Sequence, residues 1–212
     1  MRPRHKKNSK IRFEKVESLF AEKDESGRVS ELHFTAAGKK ALEIGCGKGS
    51  FAMKCAEKYG CGVYFAIERI SDVLLLAMER AAAEESGNIC FLNEDASGLD
   101  ILFPPAIMDS IYINFCDPWP KKRNAKKRLT SPSFLEKYKK ILKSDGNIYF
   151  KTDNRALFEY SLITFRECGY RLANICFDLH SSPLENGNIH TEYEDIFSAK
   201  GFKINYLEAF LK

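Results

Sequence analysis

The sequence contains no apolar run long enough to cross a membrane, and no hydrophobic stretch follows its basic start, Met1-Arg-Pro-Arg-His-Lys-Lys. Neither a membrane span nor a signal peptide is expected. No C-x-x-C pair occurs. The seven cysteines (Cys46, Cys55, Cys61, Cys90, Cys116, Cys168 and Cys176) are an odd number and are scattered singly. A disulfide framework or a zinc ribbon needs tighter spacing, so reduced thiols in a cytoplasmic protein are expected. Four histidines, His5, His33, His180 and His190, show no ligand spacing, and no metal is expected. Repeats and low-complexity tracts are missing too. With 44% of 212 residues hydrophobic, the composition suits one globular core and argues against disorder.

Acidic residues are missing from two segments. Residues 1–12 and residues 121–128 each carry six Lys or Arg and no Asp or Glu. The net charge is only +4, so the rest of the chain is acidic. An acidic body with two concentrated basic segments points to a polyanion held at defined places. The expected organisation is a basic N-terminal arm over 1–12 and a single domain over 13–212.

After a mixed stretch at 13–38, short apolar runs alternate with helical patterns. Strands are expected at Lys40–Ile44, Val63–Glu68, Ile89–Leu92, Ser110–Phe115 and Asn147–Lys151. Between them, helices are expected at Gly49–Tyr59, at Asp72–Glu85 (capped by Ser71 or Asp72 and closed by Gly87), and at Ser133–Lys143. Ser131 is the expected N-cap of the last of these, with Pro132 in its first turn. A helix over Ala156–Cys168 follows, and then a pair of longer strands, Tyr170–Leu179 and Phe202–Phe210. Strand–helix alternation predicts an α/β domain with a parallel sheet covered by helices on both faces. An antiparallel pair closing such a sheet gives the seven-stranded, mostly parallel arrangement of Rossmann-like class I methyltransferases.

Open α/β sheets bind ligands beyond the carboxyl ends of their strands. Here those ends read Glu43-Ile-Gly-Cys-Gly-Lys-Gly, Ile67-Glu68-Arg, Asn93-Glu94-Asp95, Asp117-Pro-Trp-Pro and Lys151-Thr-Asp153. Buried acids are costly without partners, so acids on five strand ends suggest a ligand. Gly45, Gly47 and Gly49 follow a strand and open a helix, which lets backbone approach a ligand closely. The dinucleotide fingerprint needs its third glycine one place later, where Ser50 stands. Glu43 also suits a cation better than a pyrophosphate. S-adenosyl-L-methionine, with its amino group and sulfonium, meets these requirements. Glu68 is placed to accept ribose hydroxyls, and Asp95 the adenine amino group, with a backbone donor at Ala96. The fourth strand runs through Asp117-Pro118-Trp119-Pro120 into the basic segment. Two prolines fix the backbone there, and the only tryptophan sits where a base can stack. Cations at 121–128 would grip phosphates beside the methyl donor.

These motifs together resemble the bacterial tRNA (guanine-N7)-methyltransferase family, commonly called the TrmB family. The matching pieces are Leu42-Glu-Ile-Gly-Cys-Gly-Lys-Gly49, Asp117-Pro-Trp-Pro-Lys-Lys-Arg123, Lys126-Lys-Arg-Leu129, Phe150-Lys-Thr-Asp-Asn154 and Thr191-Glu-Tyr-Glu194, followed by Phe197 and Gly201. They span roughly residues 40–210 in the family's order. The glycine motif is generic to methyltransferases, whereas the D-P-W-P-K-K-R and T-x-Y-E segments are specific to the family. The resemblance implies cofactor contacts from Glu43, Glu68, Asp95 and Asp117, with S-adenosyl-L-homocysteine as product. It also implies substrate contacts from Lys121, Asp153, Thr191, Glu192, Tyr193 and Glu194. RNA would lie along Arg123, Asn124, Ala125, Lys126, Lys127 and Arg128, and the modified base would be the variable-loop guanine at position 46. Asn124 and Lys127 depart from the family's usual His and Arg, which bears on fine RNA contacts rather than on activity. A monomer or a homodimer is expected.

Guanine N7 carries an in-plane lone pair, so no proton need be removed before it attacks a sulfonium methyl. Catalysis would then be mainly alignment and electrostatics, with Asp117 the first candidate for stabilising the cationic product and Asp153 the second. Glu194 or Asp153 would accept from the Watson–Crick edge of guanine and so select it over adenine. Three other readings stay open at this point. One is a methyltransferase for amino groups of nucleic acid or for protein amides, since Asp117-Pro-Trp-Pro is similar to the D-P-P-Y turn of those enzymes. The others are a nucleotide-binding dehydrogenase and a non-enzymatic RNA-binding module.

Overall fold

The structure is a computed structural model that describes residues 8–60 and 62–211. Cys61 and residues 1–7 of the expected basic arm lie outside the described residues. The chain begins with α1 (Ser9–Glu14) and a short helix α2 (Leu32–Thr35), and then the alternation sets in. β1 (Lys40–Ile44), α3 (Ser50–Tyr59), β2 (Val63–Ile67), α4 (Ser71–Ala83) and β3 (Ile89–Leu92) form its first half. α5 (Leu99–Leu102), β4 (Met108–Asn114), α6 (Pro132–Ile141), β5 (Leu142–Thr152) and α7 (Arg155–Glu167) form the second. β6 (Arg171–Cys176), α8 (Glu192–Ser198) and β7 (Asn205–Phe210) close the fold.

The seven strands make one sheet in the order β3-β2-β1-β4-β5-β7-β6. Pairings among β1 to β5 are parallel, whereas β7 runs antiparallel to both β5 and β6. The α/β class and the closing antiparallel pair are therefore as the sequence predicted. Because β1 and β4 are neighbours, the strand order reverses between them. Their carboxyl ends flank a topological switch point, where this class of sheet opens a crevice.

Alternation along the strands builds a core on each face. Leu42, Ile44, Phe65, Ile67, Ile111, Ile113, Ile148 and Phe150 pack with α5, α6 and α7. Ala41, Tyr64, Ala66, Phe91 and Tyr112 point the other way, against Phe51, Ala52 and Cys55 of α3 and Leu74, Ala77 and Met78 of α4. Both faces are thus buried, and the strands read as near-continuous apolar runs for that reason. Gly49 stands where α3 meets α4: its φ is +79°, and a Cβ there would lie 2.9 Å from the Ala77 Cβ.

Several local expectations need correction. The N-cap of α4 is Ile70, not Ser71 or Asp72, and no side chain caps it. Instead Glu68 Oε1 accepts from the Ile70 amide at 2.9 Å. The left-handed residue beyond α4 is Glu85, at φ 52°, rather than Gly87. β5 begins directly at Leu142, where α6 ends, so the expected helix to Lys143 is too long and the strand from Asn147 too short. The last two strands are also shorter than expected, because Leu179–Ser181 forms a 3-10 turn and Phe202 closes α8 by donating to the Phe197 carbonyl. At the other end, Arg12 of α1 forms a two-bond pair with Glu79 of α4, at 2.6 and 2.5 Å. No helix among the described residues is long and apolar enough to cross a membrane.

Candidate cofactor cleft and basic rim

A cleft of about 700 Å³ opens at the switch point. The ends of four parallel strands line it: Ile44 and Gly45 at the end of β1, Glu68 after β2, Asp95 and Ala96 after β3, and Asn114 to Asp117 at the end of β4. Trp119, Lys126 and Lys127 form its basic rim. Of the five strand-end acids, Glu68, Asp95 and Asp117 meet here. Glu43 and Asp153 do not.

Each of the three is set differently. Glu68 Oε2 accepts from the Gly47 amide at 3.3 Å, so it also shapes the glycine turn. That turn holds Gly45 and Gly47 at φ of 82° and 57°, a region open to glycine at little cost. Asp95 Oδ1 accepts from the Ser97 amide at 2.9 Å and caps the 3-10 turn Ala96–Gly98. The hydrogen bonds from Ser97 hold its carboxyl below the usual carboxylate range. Asp117 is exposed at the mouth.

Glu43 corrects the expectation that it presents a carboxylate to the ligand directly. It is buried and does not line the cleft. Strand alternation turns it toward the same face as Asn114 and Lys151, making a polar row beneath the switch point. Asn114 Nδ2 donates to Glu43 Oε1 at 3.1 Å. Burial pushes the Glu43 carboxyl up to about 8, only partly offset by Asn114 and Lys151. Glu43 Oε2, Asn114 Oδ1 and the Tyr64 hydroxyl are buried without a hydrogen bond of standard geometry, and Tyr64 also acts to lower the Glu43 carboxyl. Unsatisfied buried polar groups are rare, and a cationic ligand above this row would favour the Glu43 carboxylate. Asn114 itself escaped the reading of the sequence. Its only signal is an amide that ends the apolar run Ile111-Tyr-Ile113.

The T-x-Y-E segment forms the start of α8. Thr191 and Glu194 make a reciprocal capping box, at 2.9 and 3.3 Å. Glu192 pairs with Arg80 of α4 at 2.5 Å. Glu194 is fully buried, and its oxygens are taken by Lys151 at 2.6 Å, Asn188 at 2.7 Å and His180 at 2.9 Å. It is therefore no free acceptor for the edge of guanine, which corrects that expectation. Burial raises its pKa, but Lys151, His180 and Asn188 outweigh this and hold it below its ordinary value. For Lys151, burial wins and lowers the pKa despite the attraction of Glu194. His180 and His190 stack in parallel beside this pair, 4.9 Å between ring centres. Their nitrogens and a Glu194 oxygen come within 4.8 Å of one another, although the histidines lie ten residues apart in sequence. The cation on Glu194 is the Lys151 ammonium. Only Tyr193 of the segment is exposed; its ring lies 4.9 Å from Phe115, and its hydroxyl donates to Asp153 Oδ2 at 3.4 Å.

The basic segment folds as a 3-10 turn over Lys122–Lys127. Lys121, Arg123, Lys126 and Lys127 are exposed, while Asn124 and Ala125 are half-buried. Lys127 Nζ lies 4.7 Å from the centre of the Trp119 ring. Arg128 departs from the others: its guanidinium donates to the Pro118 and Trp119 carbonyls at 3.1 Å each. It is half-buried and engaged by protein, unlike the exposed lysines beside it.

A crevice of this kind on a sheet of this order defines the class: a Rossmann-like methyltransferase domain. Solved structures agree on the fold. The 16S rRNA methyltransferase KamB superposes with a TM-score of 0.67 at 15% identity, covering 90% of this chain and 95% of its own. A phosphoethanolamine N-methyltransferase of Haemonchus contortus, in complex with S-adenosyl-L-methionine, superposes with a TM-score of 0.57 at 13% identity, over 83% of this chain and 49% of that one. The family model described as "Putative methyltransferase" matches residues 37–207. A tRNA (guanine-N(7)-)-methyltransferase of Listeria innocua is 44% identical over 211 residues, 99% of this chain and 98% of the relative. The chain belongs to the tRNA (guanine-N7)-methyltransferase family.

Proposed function

We propose that this chain transfers the methyl group of S-adenosyl-L-methionine to N7 of guanine in tRNA, at the variable-loop guanine, as a monomer or homodimer. The observation that carries the reading is the meeting of Glu68, Asp95 and Asp117 in one cleft with Lys126 and Lys127 on its rim. When bound, the donor supplies an electrophilic methyl group on a sulfonium. Glu68 would accept from its ribose hydroxyls, Asp95 would accept from the adenine amino group, and the Ala96 amide would donate beside it. The glycine turn leaves room for the amino-acid portion.

The nucleophile brings its own lone pair, so no residue here has to act as a strong base. Asp117 lies at the mouth between cofactor cleft and basic rim, where a carboxylate offsets the positive charge that N7 gains. Trp119 offers a ring face for stacking. Lys121, Arg123, Lys126 and Lys127 would seat phosphates and set register without reading sequence. Phe115 lines the cleft with the Tyr193 ring 4.9 Å away, and outside the cleft Asp153, which accepts from the Tyr193 hydroxyl, would keep its other oxygen for the guanine edge.

Incubation of the purified chain with unmodified tRNA and labelled donor, followed by mapping of the modified base, tests this reading. N7-methylguanine is expected. Methylation of an exocyclic amine would favour the amino-group alternative, and tight, salt-sensitive binding with no transfer would favour an RNA-binding module; either result removes the proposal.

A further inference from the structure

The loop between β4 and the basic turn is poorly supported by its own backbone. Phe115 and Trp119 sit at φ of 51° and 40°, a region that costs non-glycine residues energy unless their surroundings hold them there. Pro118 and Pro120 have no N–H to donate, so half of the D-P-W-P segment cannot stabilise a turn of its own. Yet Asp117 and Trp119, which the proposed reaction needs in place, are the residues between and beside those prolines.

Arg128 supplies the missing donors. Its Nε lies 3.1 Å from the Pro118 carbonyl and 3.4 Å from that of Trp119, and its Nη2 lies 3.1 Å from the Trp119 carbonyl. The guanidinium carbon stacks 4.2 Å from the centre of the Tyr160 ring on α7. Its own amide closes the basic turn on the Ala125 carbonyl at 3.1 Å. One half-buried side chain thus joins the loop, the basic turn and α7. Its neighbours Lys126 and Lys127 are exposed. A lysine offers one small ammonium and no plane, so it cannot both span two carbonyls and stack.

We infer that Arg128 is a positioning residue for methyl transfer, a clamp that holds Asp117 and Trp119 at the cleft, and not a ligand of RNA phosphate. The inference rests on the methyl-transfer reading above, but the clamp itself is visible without any substrate. Trp119 is the only tryptophan, so emission from the ligand-free protein reports the loop alone.

Arg128→Lys keeps the charge and removes the fork. In the full chain it is expected to increase acrylamide quenching of Trp119. It should lower kcat about 10- to 100-fold, the scale of loss that misplacement of reacting groups brings. KM for tRNA should stay within about 2-fold, and the salt dependence of tRNA binding should not change. Lys126→Ala is the contrast: it should reduce the salt slope by about one and leave Trp119 quenching unaltered. Tyr160→Leu removes the stack from the far side and should raise quenching and lower kcat in the same direction; it decides the question if Arg128→Lys does not fold. Arg128→Gln, which removes the charge, separates the two roles: a salt slope reduced by about one, with quenching and kcat as in the wild type, would make Arg128 a phosphate ligand. A fall in kcat without a change in quenching, or the reverse, also overturns the clamp. If the wild type itself transfers no methyl group, the proposed function fails, while the quenching comparison still decides whether Arg128 holds the loop.

Discussion

Two charged clusters lie near the carboxyl edge of the same sheet, and they are finished to different degrees. Around Glu194 every charge has an internal partner: Lys151 on one oxygen, Asn188 and His180 on the other, and a capping box tying the carboxylate to α8. His190 continues the network to Asp195 at 2.7 Å and Glu185 at 2.5 Å. Around the cleft, Glu68 and Asp95 accept from backbone amides of the turns they shape, Asp117 stands exposed, and beneath them the buried Glu43 carboxyl and Asn114 oxygen are not fully hydrogen-bonded. The same residue types make a scaffold in one place and a binding site in the other. The difference lies in where their partners come from.

The largest test of that contrast is removal of the scaffold's central charge. Glu194→Ala leaves the Lys151 ammonium buried and uncompensated, which costs about 3–5 kcal/mol. Denaturant unfolding should show this loss, and a cost under about 1 kcal/mol would mean the cluster is not structural. Since the folded protein holds the Glu194 carboxyl below its ordinary 4.5, its contribution is present above that value and is lost as pH falls through the lower folded one. The variant should therefore lose less stability in acid than the wild type.

In the cleft, loss of a charge should spare the fold and cost activity. Asp117→Ala is expected to lower kcat/KM about 100-fold, roughly 2.7 kcal/mol, with donor affinity little changed and thermal stability near wild type. Labelled-methyl incorporation beside equilibrium dialysis measures both quantities. Turnover close to wild type with unchanged donor binding would remove Asp117 from the reaction.

Glu43 sharpens the comparison, since it is buried like the scaffold yet lies beneath the site. Its folded pKa of about 8 stands above its ordinary 4.5. The stability linked to it is thus full below 4.5 and is lost as pH rises through about 8. Thermal melts should show this decline in the wild type and a flatter profile in Glu43→Gln. In the wild type, a cation bound above the row should favour the carboxylate and release a proton, visible as a buffer-dependent binding enthalpy. Equal pH profiles for the two proteins would mean that Glu43 does not titrate with this shift.

The smallest effect belongs to the rim. Lys126→Ala should leave stability within about 0.5 kcal/mol and weaken tRNA binding through one counterion, a change of about one in the salt slope. A loss of stability well beyond this range would place Lys126 in the scaffold after all.

Much of the fold was legible because periodicity and turn chemistry are local. Ile89–Leu92 and Lys40–Ile44 were read to the residue, and the glycine turn after β1 announced a close backbone approach. Strand ends carrying Glu68, Asp95 and Asp117 were legible for the same reason: in a parallel sheet, position along the chain says which rim a residue occupies. Other roles were not. Glu194 and Arg128 read as ligand contacts, yet what engages them comes from Lys151, Asn188 and His180 in one case and from two backbone carbonyls in the other. The proximity of His180 and His190 likewise depends on a loop path that no spacing rule encodes.

The order of strands and helices, the glycine turn and the two runs of cations follow from the chain by itself, because each rests on neighbours a few residues apart. Which acids stay open to a ligand and which vanish into ion pairs was decided only by tertiary structure. Burial sets the cost of a charge, and burial depends on what distant segments lay over it.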